Sequence, residues 1–178
     1  INFRMRALLV SFSSYQLWQH WREPGLHLAR LFTDYEPGIH WSQMQMQSGT
    51  TGINTLRIYN PVKQSQDQDP RGIFIRRWVP ELAEVPEELI HEPWRMSSAQ
   101  HLAAGCRIGA DYPAPILDHL AAAREARRQL GSVRRTAEAR AEGQTILVQH
   151  GSRRRGVSRA RTERVGGRGR DAPGGSAE

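Results

Sequence analysis

The chain has 178 residues, enough for one domain with a real core; 38% of them are hydrophobic, and Lys plus Arg outnumber Asp plus Glu by 25 to 18. Cys106 is the single cysteine, which excludes an internal disulfide and a thiolate-held zinc or iron–sulfur cluster and fits a reducing, cytoplasmic setting. No run approaches the roughly 18 apolar residues of a membrane-spanning helix, and the opening INFRMRALLVSF reads as the inside of a helix without an initiator Met, as expected of a piece of a longer protein.

The first predicted element is FRMRALLVSFSSYQLWQHW. Phe3, Met5, Leu8, Leu9, Phe12, Leu17, Trp18 and Trp21 recur at mostly helical spacing. So few charges interrupt it that it should be covered on most sides. Pro24 suits the first turn of a second helix running through Leu26, Leu28, Ala29, Leu31 and Phe32. The stretch DYEPGIHWSQMQMQSG, residues 34–49, reads as a polar loop punctuated by Pro37 and Gly38, and TTGINTLRIYNPVKQSQDQDPRG continues it in extended or looped form. GIFIRRWVPELAEV predicts a helix stopped or kinked at Pro80. A Pro-punctuated loop around 86–96 precedes a short helix, SSAQHLAAGC, with Gly105 at its end. DYPAPILDHLAAAREARRQL is a turn followed by a strong helix former, and 134–149 form one more helix.

The fold class is therefore mainly α with long ordered loops, and such loops in a helical domain usually bind something. Residues 1–150 carry the structured part. Residues 151–178 hold eight Arg and three acidic residues with almost nothing apolar. They read as a disordered Gly/Arg-rich basic tail, which either attracts a polyanion or only solubilises the end of the chain.

The ordered series NFRMRALLVSF, HWREPG, LFTDYEPGIHW, LRIYNPVKQSQ, FIRRWVPELAEVP, HEPW and YPAPILDH resembles the C-terminal half of the FAD-binding helical domain of the DNA photolyase and cryptochrome family. The likeness spans roughly residues 2–119. It implies an all-helical domain holding FAD, and a separate N-terminal domain, not in this chain, for an antenna chromophore. It also implies damaged DNA as partner, no membrane, and a monomeric full-length protein. No metal enters the reading.

The resemblance gives roles to particular residues. Arg6 and Asp34 match a guanidinium–carboxylate pair at the flavin ring; taken alone, they would be surface residues. Glu36 matches a second carboxylate near the cofactor, usually Asp. His40 falls where the family places the residue facing flavin N5, often Asn, although a loop His that caps a turn is the plain alternative. Asn2 precedes the Arg-x-Arg of the first helix, where the family usually has His-Asn or His-Asp and this chain has Asn-Phe. Photolyases commonly carry Trp-x-Trp where this chain has Met44-Gln45-Met46. Met44 then replaces the proximal electron-relay ring, and Met46 the ring packed by the lesion. Trp41 is a substitute for the first relay step and Trp21 matches the middle one; core packing accounts for either as well. Arg4 and Arg57 match DNA-backbone arginines, and Lys63, Arg76 and Arg77 are further candidates for phosphate contact.

The function implied is light-driven repair of pyrimidine dimers by electron transfer from reduced FAD, by a deoxyribodipyrimidine photo-lyase. The alternatives are a cryptochrome-like blue-light receptor without repair and a truncated, inactive fragment.

Overall fold

The computed structural model describes residues 1–150, so the predicted disorder of the basic tail lies outside the described residues. Eight α-helices follow in chain order: α1 (Phe3–Ser11), α2 (Arg22–Leu31), α3 (Pro37–Gln47), α4 (Pro61–Gln68), α5 (Ile73–Trp78), α6 (Ser98–Ala103), α7 (His119–Arg134) and α8 (Ala137–His150). No strand occurs among the described residues; the nearest thing is an isolated bridge between Ile108 and Tyr112. The mainly α reading holds, and none of the described helices is long and apolar enough to cross a membrane.

The first predicted helix does not run straight. After Ser11 it widens into a π-turn over Phe12–Gln16, closed by Leu17 N donating to the Phe12 carbonyl at 3.0 Å. Ser13 Oγ donates to the carbonyls of Leu9 and Val10 at 2.9 and 3.1 Å. That side-chain competition within the turn is a known way to loosen a helix. The segment ends at Trp18, whose φ of 54° is the one left-handed non-glycine conformation among the described residues.

Two segments read as loop are helical. α3 begins at Glu36, whose carboxylate accepts from Gly38 N at 3.2 Å and Ile39 N at 2.7 Å. Pro37 occupies the first helical position, where its missing N–H costs nothing. The following Gln and Met residues are good helix formers. α4 starts the same way: Asn60 Oδ1 accepts from Lys63 N at 3.1 Å, with Pro61 next. Residues 48–60 do lack regular structure, and side chains fasten them down. Ser11 Oγ donates to the Arg57 carbonyl and accepts from Tyr59 N, both at 3.1 Å. Arg134 of α7 donates to the Asn54 carbonyl at 2.9 Å.

Two apolar clusters hold the described residues. Val10, Leu28 and Met44 pack α1, α2 and α3 together, with Trp21, Phe32 and Trp41 against them. Leu82, Val85, Ile90, Met96, Ala104 and Cys106 form the other. Burial there pushes the Cys106 thiol above its ordinary pKa, assisted by the negative charges of Asp111 and Glu81. Gly72 enters this cluster with φ of 66°, and a Cβ there would lie 2.6 Å from Ile90 Cγ1 and 2.7 Å from Cγ2. Left-handed strain of about 1–2 kcal/mol and overpacking of about 1–3 kcal/mol act together at this position. Gly72→Ala is therefore expected to destabilise the protein by roughly 2–5 kcal/mol. A urea unfolding midpoint within error of the unsubstituted protein would contradict the described packing.

Candidate functional site

A cavity of about 140 Å³ opens between α1, the end of α2 and α3. Arg6, Asp34, Glu36, His40 and Met44 line it, together with Phe3, Ala7, Val10, Phe32, Tyr35, Ile39, Gln43 and Gln47. Five of the eleven site candidates thus converge on one pocket from three elements.

Arg6 and Asp34 stand at its rim. Arg6 Nη2 donates to Asp34 Oδ1 at 2.8 Å and to Oδ2 at 3.0 Å, while Nε donates to the Ile1 carbonyl at 3.0 Å. The guanidinium carbon lies 4.2 Å from the centre of the Phe32 ring, which fixes the plane from the other side. The hydrogen bond from Arg6 holds the Asp34 carboxyl below its ordinary pKa. The Asp34 side chain is 64% exposed, so this pair organises the mouth of the pocket and contributes little to folding. Glu36 is at the rim too, but its carboxylate is committed to the first turn of α3.

His40 is buried, and its Nε2 lies 2.9 Å from the Gly25 carbonyl. A carbonyl can only accept, so the Nε2–H of His40 donates there. Phe32, Tyr35 and Trp41 pack edge-on around it, with ring centres 6.0, 5.1 and 5.0 Å away. Trp41 Nε1 donates to the Tyr35 hydroxyl at 3.1 Å. On its other side Trp41 meets Trp21 at 6.1 Å, and Trp21 stacks on His20 at 5.6 Å. The aromatic array therefore runs from the pocket wall through the α1–α2–α3 cluster to exposed His20. Met44 is 3% exposed and belongs to both pocket and cluster.

The remaining candidates lie outside the pocket lining. Asn2 caps α1, accepting from Met5 N at 3.0 Å. Arg4 and Arg57 are exposed, and Met46 is half-buried on α3. Of the further phosphate candidates, Arg76 is committed to structure: its guanidinium donates to the carbonyls of Arg71, Ala83 and Val85 at 2.6, 3.1 and 2.7 Å. Three of its five N–H donors are thus spent on holding the chain around 71–85. Lys63 pairs with Asp67 at 3.1 Å, and Arg77 lies 5.2 Å from the Trp78 ring.

Phe32, Tyr35, Gln43 and Gln47 are pocket residues that the sequence reading left out. The signal for Gln43 and Gln47 was the spacing 40, 43, 44, 47, one face of a helix, which a loop reading of α3 hides.

Comparison with known proteins defines the class first. Residues 1–132 match the family described as the FAD binding domain of DNA photolyase, so most of the chain is part of a flavin-binding helical domain. A deoxyribodipyrimidine photo-lyase of Alkalihalophilus pseudofirmus is 39% identical over 118 residues, covering 65% of this chain and 25% of that protein. A cryptochrome DASH of Gloeobacter violaceus is 33% identical over 126 residues, covering 69% and 25%. The crystal structure of a bacterial class III photolyase from Agrobacterium tumefaciens superposes with a TM-score of 0.68 at 30% identity, over 75% of this chain and 28% of that one. The chain belongs to the DNA photolyase/cryptochrome family, and it spans about a quarter of the length of the curated relatives it matches.

Proposed function

We propose that this chain is the C-terminal part, residues 1–150, of the FAD-binding domain of a light-driven photolyase that repairs pyrimidine dimers in DNA. The observation that supports the reading most is the convergence of Arg6, Asp34, Glu36, His40 and Met44 on one cavity in a chain whose residues 1–132 match the family.

The residues present fit one side of a flavin. Val10, Phe32 and Met44 supply apolar wall for a flat ring, and the Arg6–Asp34 pair supplies both charges at the rim. Gln43 and Gln47 also line the cavity, and the side-chain carbonyl oxygen of each is buried without a hydrogen-bond partner among the described residues. Bound reduced FAD supplies the photoexcited electron that splits the dimer. The work of this chain is positioning. Arg6 and Asp34 orient the polar edge of the ring and balance charge beside it, and buried His40 adds its ring to the wall. Exposed Arg4 and Arg57 contact the DNA backbone around a flipped-out lesion. An antenna chromophore belongs to a domain outside this chain, and the full-length protein acts as a monomer on damaged DNA.

One observation favours a second reading, a cryptochrome-like photoreceptor without repair. Met44 and Met46 stand where photolyases commonly carry indoles, and relatives named cryptochrome match over the same region. The deciding experiment is blue-light repair by the full-length protein, with FAD chemically reduced and DNA carrying cyclobutane dimers. Loss of dimers only under light is the expected result. A flavin that photoreduces while every dimer persists would replace the repair reading with the receptor one.

A further inference from the structure

One face of α3 carries chemistry that the family resemblance does not assign. His40, Gln43, Met44 and Gln47 are spaced i, i+3, i+4 and i+7, and all four line the pocket. The His40 Nε2 is engaged by the Gly25 carbonyl, and Met44 is apolar. The two glutamines differ from both. Gln43 Oε1 and Gln47 Oε1 are buried and have no hydrogen-bond partner among the described residues. Gln47 is only 3% exposed, so water does not compensate it. A buried carbonyl stripped of hydration and left unpaired is a standing cost, and native structures carry few of them. Here two occur one turn apart on the wall of one cavity.

We propose that Gln43 and Gln47 are cofactor-contacting residues whose side-chain carbonyls accept hydrogen bonds from bound FAD. The inference rests on the reading of this cavity as the flavin site. An amide oxygen calls for a neutral donor, an N–H of the ring system or a hydroxyl of the ribityl chain. A phosphate offers only acceptor oxygens at neutral pH and would leave both carbonyls unpaired. The rim pair and the glutamines divide the pocket: the Asp34 side chain is 64% exposed at the mouth, whereas Gln47 is sealed inside. The interior therefore recognises an uncharged polar group and the mouth a charged or strongly polar one.

The test uses the full-length protein, freed of flavin and titrated with FAD. Gln47→Met keeps nearly the same volume and removes the acceptor. It is expected to weaken FAD binding about five- to tenfold, the worth of one neutral hydrogen bond. The melting temperature of the flavin-free protein should stay level or rise, because an unpaired buried carbonyl has been deleted. A merely structural glutamine gives the opposite pattern. Gln43→Met, at a half-buried position, should act in the same direction and serves if the Gln47 variant does not fold. Unchanged FAD affinity with a lowered melting temperature would overturn the proposal, since the carbonyl would then be paired elsewhere in the protein. Failure of the unsubstituted protein to bind FAD is a different result, and it would overturn the flavin reading of the cavity itself.

Discussion

Arg6→Ala in the full-length protein is expected to weaken FAD binding roughly ten- to a hundredfold, the range for losing a hydrogen bond to a charged group. The reduced cofactor should lose more affinity than the oxidised one. Arg6 ties α1 to the α2–α3 connection through Asp34, and it is held flat by Phe32. The hydrogen bond from Arg6 lowers the Asp34 pKa. A lowered folded pKa means that the pair's contribution is present above the ordinary carboxylate range and is lost as pH falls through the lowered value. At neutral pH Asp34 is ionised with or without its partner. Removing Arg6 therefore leaves an uncompensated carboxylate at the rim, and negative charge acquired on reduction is opposed. A tenfold difference between the two redox states lowers the two-electron potential by about 30 mV. Asp34→Asn leaves the guanidinium unbalanced instead and should move the potential upward. Arg6→Lys keeps the charge and loses the fixed guanidinium plane, so it should lower affinity with little change in potential. Spectroelectrochemistry on the three variants checks this. Equal loss of affinity in both redox states for Arg6→Ala would reduce the pair to a structural tie.

The helix inventory was legible where apolar residues recur and terminators are strong. α2, α5, α6 and α7 follow from Leu, Ile and Ala at helical intervals between Pro, Gly and Asp. α3 was not legible for a physical reason. Its start is a Glu carboxylate folded back on two N–H groups and a Pro in the first turn, and Pro-Gly reads equally as a turn. Its Met and Gln residues alternate, which obscures the 3.6-residue period. The π-turn over Phe12–Gln16 goes with a serine hydroxyl choosing backbone carbonyls, a choice that composition does not announce. The pocket is half legible from the likeness and half from the fold. Arg6, Asp34, Glu36, His40 and Met44 carry recognisable motif positions. Gln43 and Gln47 appear only once α3 is a helix. Arg76 shows the reverse: its double-arginine motif suggests phosphate, and three backbone carbonyls bond its guanidinium.

Trp41→Phe in the full-length protein is expected to slow light-driven flavin reduction by roughly tenfold or more, the effect of raising a barrier by about 1.4 kcal/mol. Dimer repair after chemical reduction should change much less. Met44 lies in the pocket wall, and its thioether is a poor relay beside an aromatic ring. The nearest indole is Trp41, separated from the pocket by His40 at 5.0 Å and touching Trp21 at 6.1 Å. The two indoles are not equivalent as electron donors. Trp41 Nε1–H donates to the Tyr35 hydroxyl, a bond that strengthens as positive charge develops on the ring. Trp21 lies 5.6 Å below the guanidinium of Arg22, which opposes a second positive charge. Oxidation is thus favoured at Trp41 and hindered at Trp21, so the first step should tolerate Trp21→Phe better than Trp41→Phe. Arg22→Gln should lift the hindrance and speed re-reduction of Trp41 by Trp21. Transient absorption of the three variants separates the steps. Photoreduction at the unsubstituted rate in Trp41→Phe would take Trp41 out of the electron path and leave its ring a packing partner of Gly25, whose added Cβ would lie 2.8 Å from Trp41 Cζ3.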